Sequence, residues 1–307
     1  MIDGPIEFAK LSGSGNDFIC LDNRGGRLDS ILTDGPAVSR FAVAMCRRGL
    51  GIGADGLIFA TDCEIGGAAD VGARFFEPDG SEAALCGNGV ACFVRWAGDD
   101  GWGSGQELRV LTSAGVVRGR RSDGSYVRVC IPLPEDMKTD LKVSAGGAKW
   151  KCDYVVTGVP HLLVYVDDVS AVDVPHLGGL LRHHEMFAPR GVNANFVQVL
   201  GEGSIALRTF EYGVEGETLA CGTGSAAAAI MAAQRRRWGK EYFSGERPVL
   251  VRARSGDVLR VYFEMVGGEV RDPCVETVVR FLYRGVVHSD LAASAQGGRA
   301  DQPTGQP

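Results

Sequence analysis

The segments EAALCGNGVACF, residues 82–93, and ETLACGTGSAAA, residues 217–228, follow one pattern. In each segment a glutamate stands four residues before a cysteine, and the cysteine opens Cys-Gly-X-Gly ahead of small and apolar residues. Such a run favours a helix, which places the cysteine and the glycines at the helix start. Similarity at half the chain length indicates a duplication, because a solenoid repeats at a much shorter period. The sequence therefore predicts two related halves, each contributing one such cysteine.

A cysteine at the start of a helix lies beside backbone N–H groups that have no partner within the helix. These groups and the helix dipole favour a thiolate and can bind an anion such as a carboxylate. The pKa of a cysteine so placed can fall to about 3.5–7.5, against about 8.5 for an isolated thiol. Two such cysteines around one cleft would let a thiolate remove an α-proton while the other thiol returns a proton from the opposite face. This pattern predicts two-base racemisation or epimerisation, with helix N–H groups stabilising the carbanion.

Two other interpretations of the paired motif stay open at this point. Either motif alone is also typical of a tight strand–helix turn in which a small cysteine packs inside the protein. The matching glutamate in both motifs favours the catalytic interpretation over that one. An interpretation from another class is a binding or redox protein that uses the two cysteines as a disulfide switch.

The composition limits the class of protein. The 307 residues carry a formal net charge of −6 and are 45% hydrophobic, which is ordinary for a globular protein and argues against a nucleic-acid partner. We find no apolar stretch of about 18 residues and no signal segment, so we expect no membrane partner and a cytoplasmic protein. The nine cysteines are scattered without any Cys-x-x-Cys pair, which argues against a disulfide framework or a zinc site. Most of them are expected to be buried thiols in a reducing compartment.

Short strands mixed with a few helices run through the chain. A polar, turn-rich segment follows residue 131, so residues 1–131 are predicted to form an N-terminal lobe and residues 132–275 a C-terminal lobe. The closing strand, about residues 276–288, is expected to return to the first lobe. The tail, residues 289–307, has little to bury and is predicted to be disordered. Helices are predicted over residues 36–48 and 174–184 and after each motif, ending near Gly98 and Trp238.

The chain resembles the diaminopimelate epimerase family over about residues 6–287. The motifs that carry the resemblance are, in order, SGSGNDF, RRGLGIGADGLI, FFEPDGSEAALCGNG, TGVPH, VNANFVQV and FEYGVEGETLACGTGS. The resemblance implies an α/β (α+β) fold of two pseudo-symmetric domains, each a barrel-like, mostly antiparallel sheet around a central helix. It also implies an isomerase that converts LL-diaminopimelate to meso-diaminopimelate, on the path to lysine and peptidoglycan, without a cofactor or metal. The implied partner is the small amino-acid substrate, and a homodimer stays open.

The same resemblance implies roles for individual residues. Cys86 and Cys221 would be the acid/base pair. His161 and Glu211 would hold or relay protons for them, and which of the two serves which sulfur stays open. Glu82 and Glu217 are expected to brace the turns. The implied substrate-binding positions, including the backbone N–H groups around the reacting carboxylate, are Asn16, Gly56, Glu77, Gly87, Asn88, Val159, Asn193, Tyr212, Gly222 and Thr223.

This chain departs from the family pattern where the far amino-acid end of diaminopimelate would bind. Glu77 and Val159 stand where the family commonly has asparagines, and Tyr212 replaces an arginine. Losing an arginine removes a bidentate carboxylate clamp, and charge-assisted contacts of this kind contribute about 1.5–3 kcal/mol each. Gly56 stands where some members have glutamine. A racemase of a different amino acid, for example histidine, on the same scaffold is therefore the alternative.

Overall fold

A computed structural model describes residues 5–63, 67–102, 106–288 and Leu291. Apart from Leu291, the predicted disordered tail lies outside the described residues. The chain forms two compact units. The first unit holds the described residues up to 12, residues 16–116 and those from 280 onward; the second holds residues 13–15 and 117–279.

Strands and helices alternate along the described residues. The strands are β1 Ile6–Gly13, β2 Asn16–Asp22, β3 Gly56–Thr61, β4 Val71–Phe76, β5 Glu82–Ala83, β6 Leu108–Thr112, β7 Gly115–Arg121, β8 Tyr126–Cys130, β9 Glu135–Ala145, β10 Ala148–Val156, β11 Pro160–Tyr165, β12 Asn193–Gly201, β13 Ser204–Glu211, β14 Gly216–Thr218, β15 Val249–Arg252, β16 Val258–Val266 and β17 Glu269–Val287. The α-helices are α1 Asp29–Leu32, α2 Gly35–Cys46, α3 Gly87–Asp99, α4 Gly179–Arg182 and α5 Gly222–Arg236. None of the helices in the described ranges is long and apolar enough to cross a membrane.

The first unit places its Cys-Gly-X-Gly motif between a hairpin and a parallel strand. Strands β2 and β3 are parallel, and the chain between them carries α1 and α2. Such a connection is required because parallel neighbours cannot be joined by a tight turn. Strand β4 then runs antiparallel to β3 and to the short β5. After β5 the chain enters α3 and returns in β6, which is parallel to β4.

The second unit repeats this order of elements. Strands β11 and β12 are parallel and are joined through a segment containing α4. Strand β13 is antiparallel to β12 and to the short β14, and α5 leads to β15, which is parallel to β13. Most of the remaining neighbours are antiparallel. The element-by-element match confirms the two pseudo-symmetric halves that the repeated motif predicted.

Each unit surrounds one apolar helix with strands. In α5 every side chain from Ala226 to Ala233 is buried, and it packs against apolar residues of β10–β13 and β15–β17. In α3 the residues from Val90 to Val94, together with Trp96, are buried in the same way. A helix that is apolar on all sides is typical of a core position. The alanines of α5 allow the surrounding strands to approach its backbone closely.

The structure assigns β7 and β8 differently from the sequence. The sequence placed residues up to 131 in the N-terminal lobe, whereas residues 117–131 belong to the second unit. The reason is strand pairing, because Tyr126 to Cys130 of β8 lie opposite Val278 to Cys274 of β17. Strand β17 is long enough to pass from the second unit into the first at residue 280.

One cysteine pair also differs from the expected thiols. Cys130 and Cys274 lie directly opposite each other on β8 and β17, with a Cα–Cα distance of 4.0 Å, and form a disulfide. The two residues are 144 positions apart, so only the pairing of these strands reveals their proximity. Five other cysteines are buried thiols, as expected: Cys20, Cys46, Cys92, Cys152 and Cys221.

Replacing Ala229 with leucine should destabilise the second unit by about 1–3 kcal/mol, because the enclosed face of α5 has no room for three more carbon atoms. Urea unfolding of the wild type and the variant measures this change. The control is Arg236→Leu at the exposed end of the same helix, which should change stability by less than about 1 kcal/mol. Equal effects of the two substitutions would contradict the central position of α5.

Candidate active site

The two motif cysteines stand in the same local structure. Cys86 immediately precedes α3 with φ −131° and ψ 113°, and Cys221 immediately precedes α5 with φ −121° and ψ 112°. The carbonyl of each accepts the first hydrogen bond of its helix, from Val90 at 2.8 Å and from Ser225 at 2.9 Å. Both cysteines are therefore N-cap residues beside the positive end of a helix, as the motif predicted.

An arginine–glutamate pair braces the turn before each cysteine. In the first unit, Arg74 of β4 donates through Nε and Nη2 to the two carboxylate oxygens of Glu82, both at 2.7 Å. In the second unit, Arg208 of β13 donates in the same way to Glu217 at 2.6 and 2.8 Å. Two parallel bonds of this kind fix orientation as well as distance. The expected bracing role of the two glutamates is confirmed.

The same arginines also hold the connection between the two parallel strands of their unit. Nη1 of Arg74 donates to the carbonyl of Leu32 at 2.9 Å. Nη1 of Arg208 donates to the carbonyls of Val169 and Val172 at 3.0 and 2.9 Å. Each guanidinium thus ties the hairpin that leads into the cysteine to a segment more than thirty residues away along the chain.

In the first unit, two predicted substrate-binding asparagines contact each other. Nδ2 of Asn88, the second residue of α3, donates to Oδ1 of Asn16 at 2.7 Å. Asn16 opens β2, and the next residue, Asp17, forms an ion pair with the buried Lys10 at 2.8 Å. Burial raises the pKa of Asp17, but hydrogen bonds from Arg48 and Lys10 outweigh it and lower this pKa to about 2. Asp17 therefore stays ionised and anchors the start of β2 beside the α3 N-terminus.

In the second unit, Cys221 lies among groups with opposite effects on its proton. Burial raises the pKa of the Cys221 thiol well above its ordinary value, and the neighbouring Glu211 carboxylate raises it further. The N–H of Gly224 and the hydroxyl of Thr223 act in the opposite direction by hydrogen bonding to the sulfur. Oγ1 of Thr223 lies 3.7 Å from the sulfur. Of His161 and Glu211, only Glu211 is among the groups that shift the pKa of Cys221, and which cysteine each of them serves stays a prediction.

His161, which contacts Thr223, is completely buried. Burial lowers the pKa of His161 to about 3, so the ring is neutral at physiological pH. Its Nε2 lies 3.0 Å from Oγ1 of Thr223, and its Nδ1 lies 3.2 Å from Nδ2 of Asn195. Gly224 packs against this group so closely that an added Cβ would lie 2.6 Å from Oδ1 of Asn195 and 3.3 Å from Cε1 of His161.

The remaining predicted positions in the second unit lie on β12, on the turn before β11, after β13 and at the start of α5. The side chain of Asn193 donates to the carbonyl of Pro160 at 3.1 Å and accepts from the N–H of Tyr212 at 2.8 Å. Tyr212 is exposed, and its ring lies 4.4 Å from the Arg182 guanidinium. Val159 is half-buried at the turn before β11. Gly222 and Thr223 open α5, as expected for donors of backbone N–H groups.

The three other predicted substrate-binding positions of the first unit lie at the start of a strand, in a turn and at the start of a helix. Gly56 opens β3, where an added Cβ would lie 2.9 Å from the Phe18 ring, so any larger side chain would have to displace that ring. Glu77 is exposed in a tight turn, where its N–H donates to the carbonyl of Ser81 at 2.8 Å. Gly87 is the first residue of α3.

The sequence analysis did not name Asn195, whose side chain forms hydrogen bonds with the groups around His161. The signal was present in VNANFV, because residues two apart on a strand share one face. Asn195 therefore follows Asn193 on the face of β12 next to His161, which pairs with Asn193 in the parallel register.

Replacing Gly224 with alanine should destabilise the protein by about 1–3 kcal/mol, because the new methyl group collides with Asn195 and Cys221. The matched control is Gly87→Ala, also in the first turn of a motif helix, where an added Cβ meets no atom within 4 Å. Urea unfolding of both variants tests the difference. A stability of Gly224→Ala equal to that of the control would contradict the close packing around His161.

The buried neutral His161 should make stability depend on pH. The unfolded chain binds a proton on this histidine below pH about 6.5, whereas the folded protein resists it down to about 3, so stability falls as the pH falls through this window. Between pH 7 and pH 5 the loss attributable to His161 should be about 2 kcal/mol. Urea unfolding at both pH values should show this excess loss in the wild type but not in His161→Gln. Parallel losses in the two proteins would contradict the assignment.

Comparison with known proteins places this chain in a family. It matches the diaminopimelate epimerase family model over residues 8–130 and 154–270. It is 40% identical over 263 residues to a diaminopimelate epimerase of Aquifex aeolicus, covering 84% of this chain and 90% of that protein. It is 38% identical over 303 residues to one of Methanothrix thermoacetophila, covering 95% and 99%.

Solved structures with low sequence identity share the fold. A phenazine biosynthesis protein of the PhzF family from Bacillus anthracis superposes with a TM-score of 0.69 at 16% identity, covering 93% of this chain and 99% of that one. A hydroxyproline epimerase from Agrobacterium vitis superposes with a TM-score of 0.68 at 16% identity, covering 97% of both chains. With the duplicated strand–helix order and the two N-cap cysteines, the matches at 38–40% identity show that this chain belongs to the diaminopimelate epimerase family.

Proposed function

We propose that this protein is an isomerase that converts LL-diaminopimelate to meso-diaminopimelate. The observation that carries the proposal is the pair of cysteines, Cys86 and Cys221, each an N-cap residue after a braced hairpin in a chain of this family. The relatives that cover most of its length are named for this activity. The reaction then belongs to lysine biosynthesis and supplies a peptidoglycan precursor, with a small amino acid as partner, and we place it in the cytoplasm. A homodimer stays a prediction.

The proposed reaction uses both sulfurs on one α-carbon. The thiolate of one cysteine takes the α-proton, and the electron pair of the C–H bond stays on the substrate as a carbanion delocalised into its carboxylate. N–H groups of Gly87, Asn88, Gly222 and Thr223 bind that carboxylate. The thiol of the other cysteine then gives its proton to the opposite face. The first sulfur ends as a thiol and the second as a thiolate, so the protons balance and the reverse reaction starts from that state.

The surroundings of Cys221 favour the thiol as its resting form. Burial and the Glu211 carboxylate both raise the pKa of Cys221, so we propose that it is the proton donor in the resting enzyme. Cys86, half-buried at the α3 N-terminus, is then the thiolate that removes the α-proton. Glu211 accepts the thiol hydrogen bond before transfer and, by repulsion, hastens the return of a proton to the thiolate afterwards.

Incubation with LL-diaminopimelate in deuterated water should give meso-diaminopimelate that carries deuterium at the inverted α-carbon. Replacing Cys86 or Cys221 with serine should lower the rate by at least about 10²-fold, because a serine hydroxyl neither ionises nor donates as a thiol does. Chiral separation followed by mass spectrometry measures both inversion and deuterium content.

The matched control is Cys63→Ser, a half-buried cysteine outside both motifs, which should keep the wild-type rate. Deuterium appearing in L-histidine rather than in LL-diaminopimelate would replace the proposal with the alternative racemase. Exchange that survives in both motif variants would contradict a two-sulfur reaction.

A further inference from the structure

We propose that Thr223 is a positioning residue whose side-chain hydroxyl donates a hydrogen bond to Cys221 and so stabilises its thiolate. The hydroxyl lies between Nε2 of His161, at 3.0 Å, and the sulfur, at 3.7 Å. This role rests on the proposed function, in which Cys221 must pass between thiol and thiolate. It is separate from the backbone N–H of the same residue, which is assigned to the substrate carboxylate.

The chain of hydrogen bonds starts at Asn195, whose amide has only one acceptable orientation. Its nitrogen lies 3.1 Å from the carbonyl of Leu162 and 3.0 Å from that of Asn193, and both of these groups can only accept. Its oxygen accepts from the hydroxyl of Thr209 at 2.9 Å. Rotating the amide would set its oxygen against two carbonyl oxygens. The amide nitrogen therefore faces His161, and because its two hydrogens are shared among three neighbours and it has no lone pair to accept with, it can only donate to the ring.

The orientation of Asn195 decides which nitrogen of His161 carries the proton. Nδ1 faces the Asn195 amide N–H, so it must be the unprotonated, accepting nitrogen. The neutral ring then carries its single proton on Nε2, which points at Oγ1 of Thr223. A hydroxyl that accepts this N–H keeps its own hydrogen for another acceptor. The sulfur of Cys221 is the acceptor within reach.

Burial of this group excludes water as a competing hydrogen-bond partner. His161 and Asn195 are completely buried, and Thr209 is nearly so. The hydroxyl of Thr157 donates to the carbonyl of Thr223 at 3.0 Å, which holds the first turn of α5 in place. Because the ring of His161 is neutral, it orients Thr223 without placing a charge beside the substrate carboxylate.

The hydroxyl opposes two effects that would trap Cys221 as a thiol. The titratable groups facing the sulfur within the described part of its unit are Glu211 of β13 and, through Thr223, His161 of β11. Burial and Glu211 favour the thiol, whereas the Gly224 N–H and the Thr223 hydroxyl favour the thiolate. A sulfur that must give up a proton and take one back within each catalytic cycle needs both forms within reach.

The test compares Thr223→Val with Thr223→Ser. Valine keeps the shape and the backbone N–H but removes the hydroxyl, whereas serine keeps the hydroxyl. Iodoacetamide alkylation of Cys221 at fixed pH, followed by mass spectrometry of its peptide, reports the thiolate fraction. We expect alkylation of the valine variant to be at least about threefold slower, because a smaller fraction of Cys221 is thiolate. The slowing is limited because the remaining thiolate is more nucleophilic. Alkylation of Cys63 is the internal reference.

Activity provides the second measurement. In Thr223→Val, kcat should fall about 10–100-fold, since a hydrogen bond to a charged group is lost, while KM changes little because the N–H remains. Thr223→Ser should stay within about threefold of the wild type. Thr223→Ala, which adds no methyl group beside His161, replaces the valine variant if that variant fails to fold.

If Thr223→Val keeps the alkylation rate and kcat of the wild type, the proposed role of the hydroxyl is overturned. Losses of alkylation rate and kcat in Thr223→Ser equal to those in Thr223→Val would overturn it as well. Failure of the proposed function gives a different result. In that case the wild-type protein would not exchange the α-hydrogen of LL-diaminopimelate, whereas the difference in Cys221 alkylation between the valine and serine variants would persist.

Discussion

The arrangement of the site depends on a bidentate arginine–glutamate pair that fixes each cysteine-bearing turn. Strands β5 and β14 are two and three residues long, so their ladders alone hold each hairpin weakly. Arg74 and Arg208 supply the missing bonds and extend them to a second segment of chain. The Arg208–Glu217 pair is only 12% exposed on each side, whereas Arg74 and Glu82 are about one-third exposed. Exposed pairs are screened by water, so the second pair is the stronger constraint on its cysteine.

The two cysteines share a backbone conformation but have different surroundings. Cys86 is half-buried near a pair of asparagines, and Cys221 is buried beside a carboxylate, a hydroxyl and a neutral histidine. Burial strengthens every electrostatic contact of Cys221, because little water screens it. The duplication thus supplied two equivalent helix ends, but their surroundings differ, and those of Cys221 raise the pKa of its thiol through burial and the Glu211 carboxylate. Under the proposed function, one sulfur removes a proton while the other supplies one, and different surroundings suit these two roles.

The sequence predicted the features that depend on neighbouring residues, namely the motif helices and the residues at their N-terminal ends. The motif helices were expected to end near Gly98 and Trp238, and they end at Asp99 and Arg236. Their N-terminal cysteines and bracing glutamates followed from the spacing of the repeat. The arginine partners carried no signal, because a single arginine on a strand resembles any surface residue. Strand pairing over long distances was equally invisible, so the sequence revealed neither the disulfide of Cys130 nor the unit to which β8 belongs.

The structure shows which groups lie near Tyr212, the residue that stands in place of the family's arginine. Arg182 lies under the Tyr212 ring, but its guanidinium donates to Glu215 at 2.9 Å and to the carbonyl of Arg190 at 3.1 Å. The Asn193 side chain is likewise occupied by main-chain groups. Each residue therefore has only the N–H donors left over from these bonds for a substrate carboxylate. A far carboxylate at this position would meet a phenol hydroxyl, which donates one hydrogen bond and carries no positive charge, whereas an arginine would donate two parallel bonds. Under the proposed function such a contact is equal in the ground state and the transition state, so its weakness would raise KM and leave kcat unchanged.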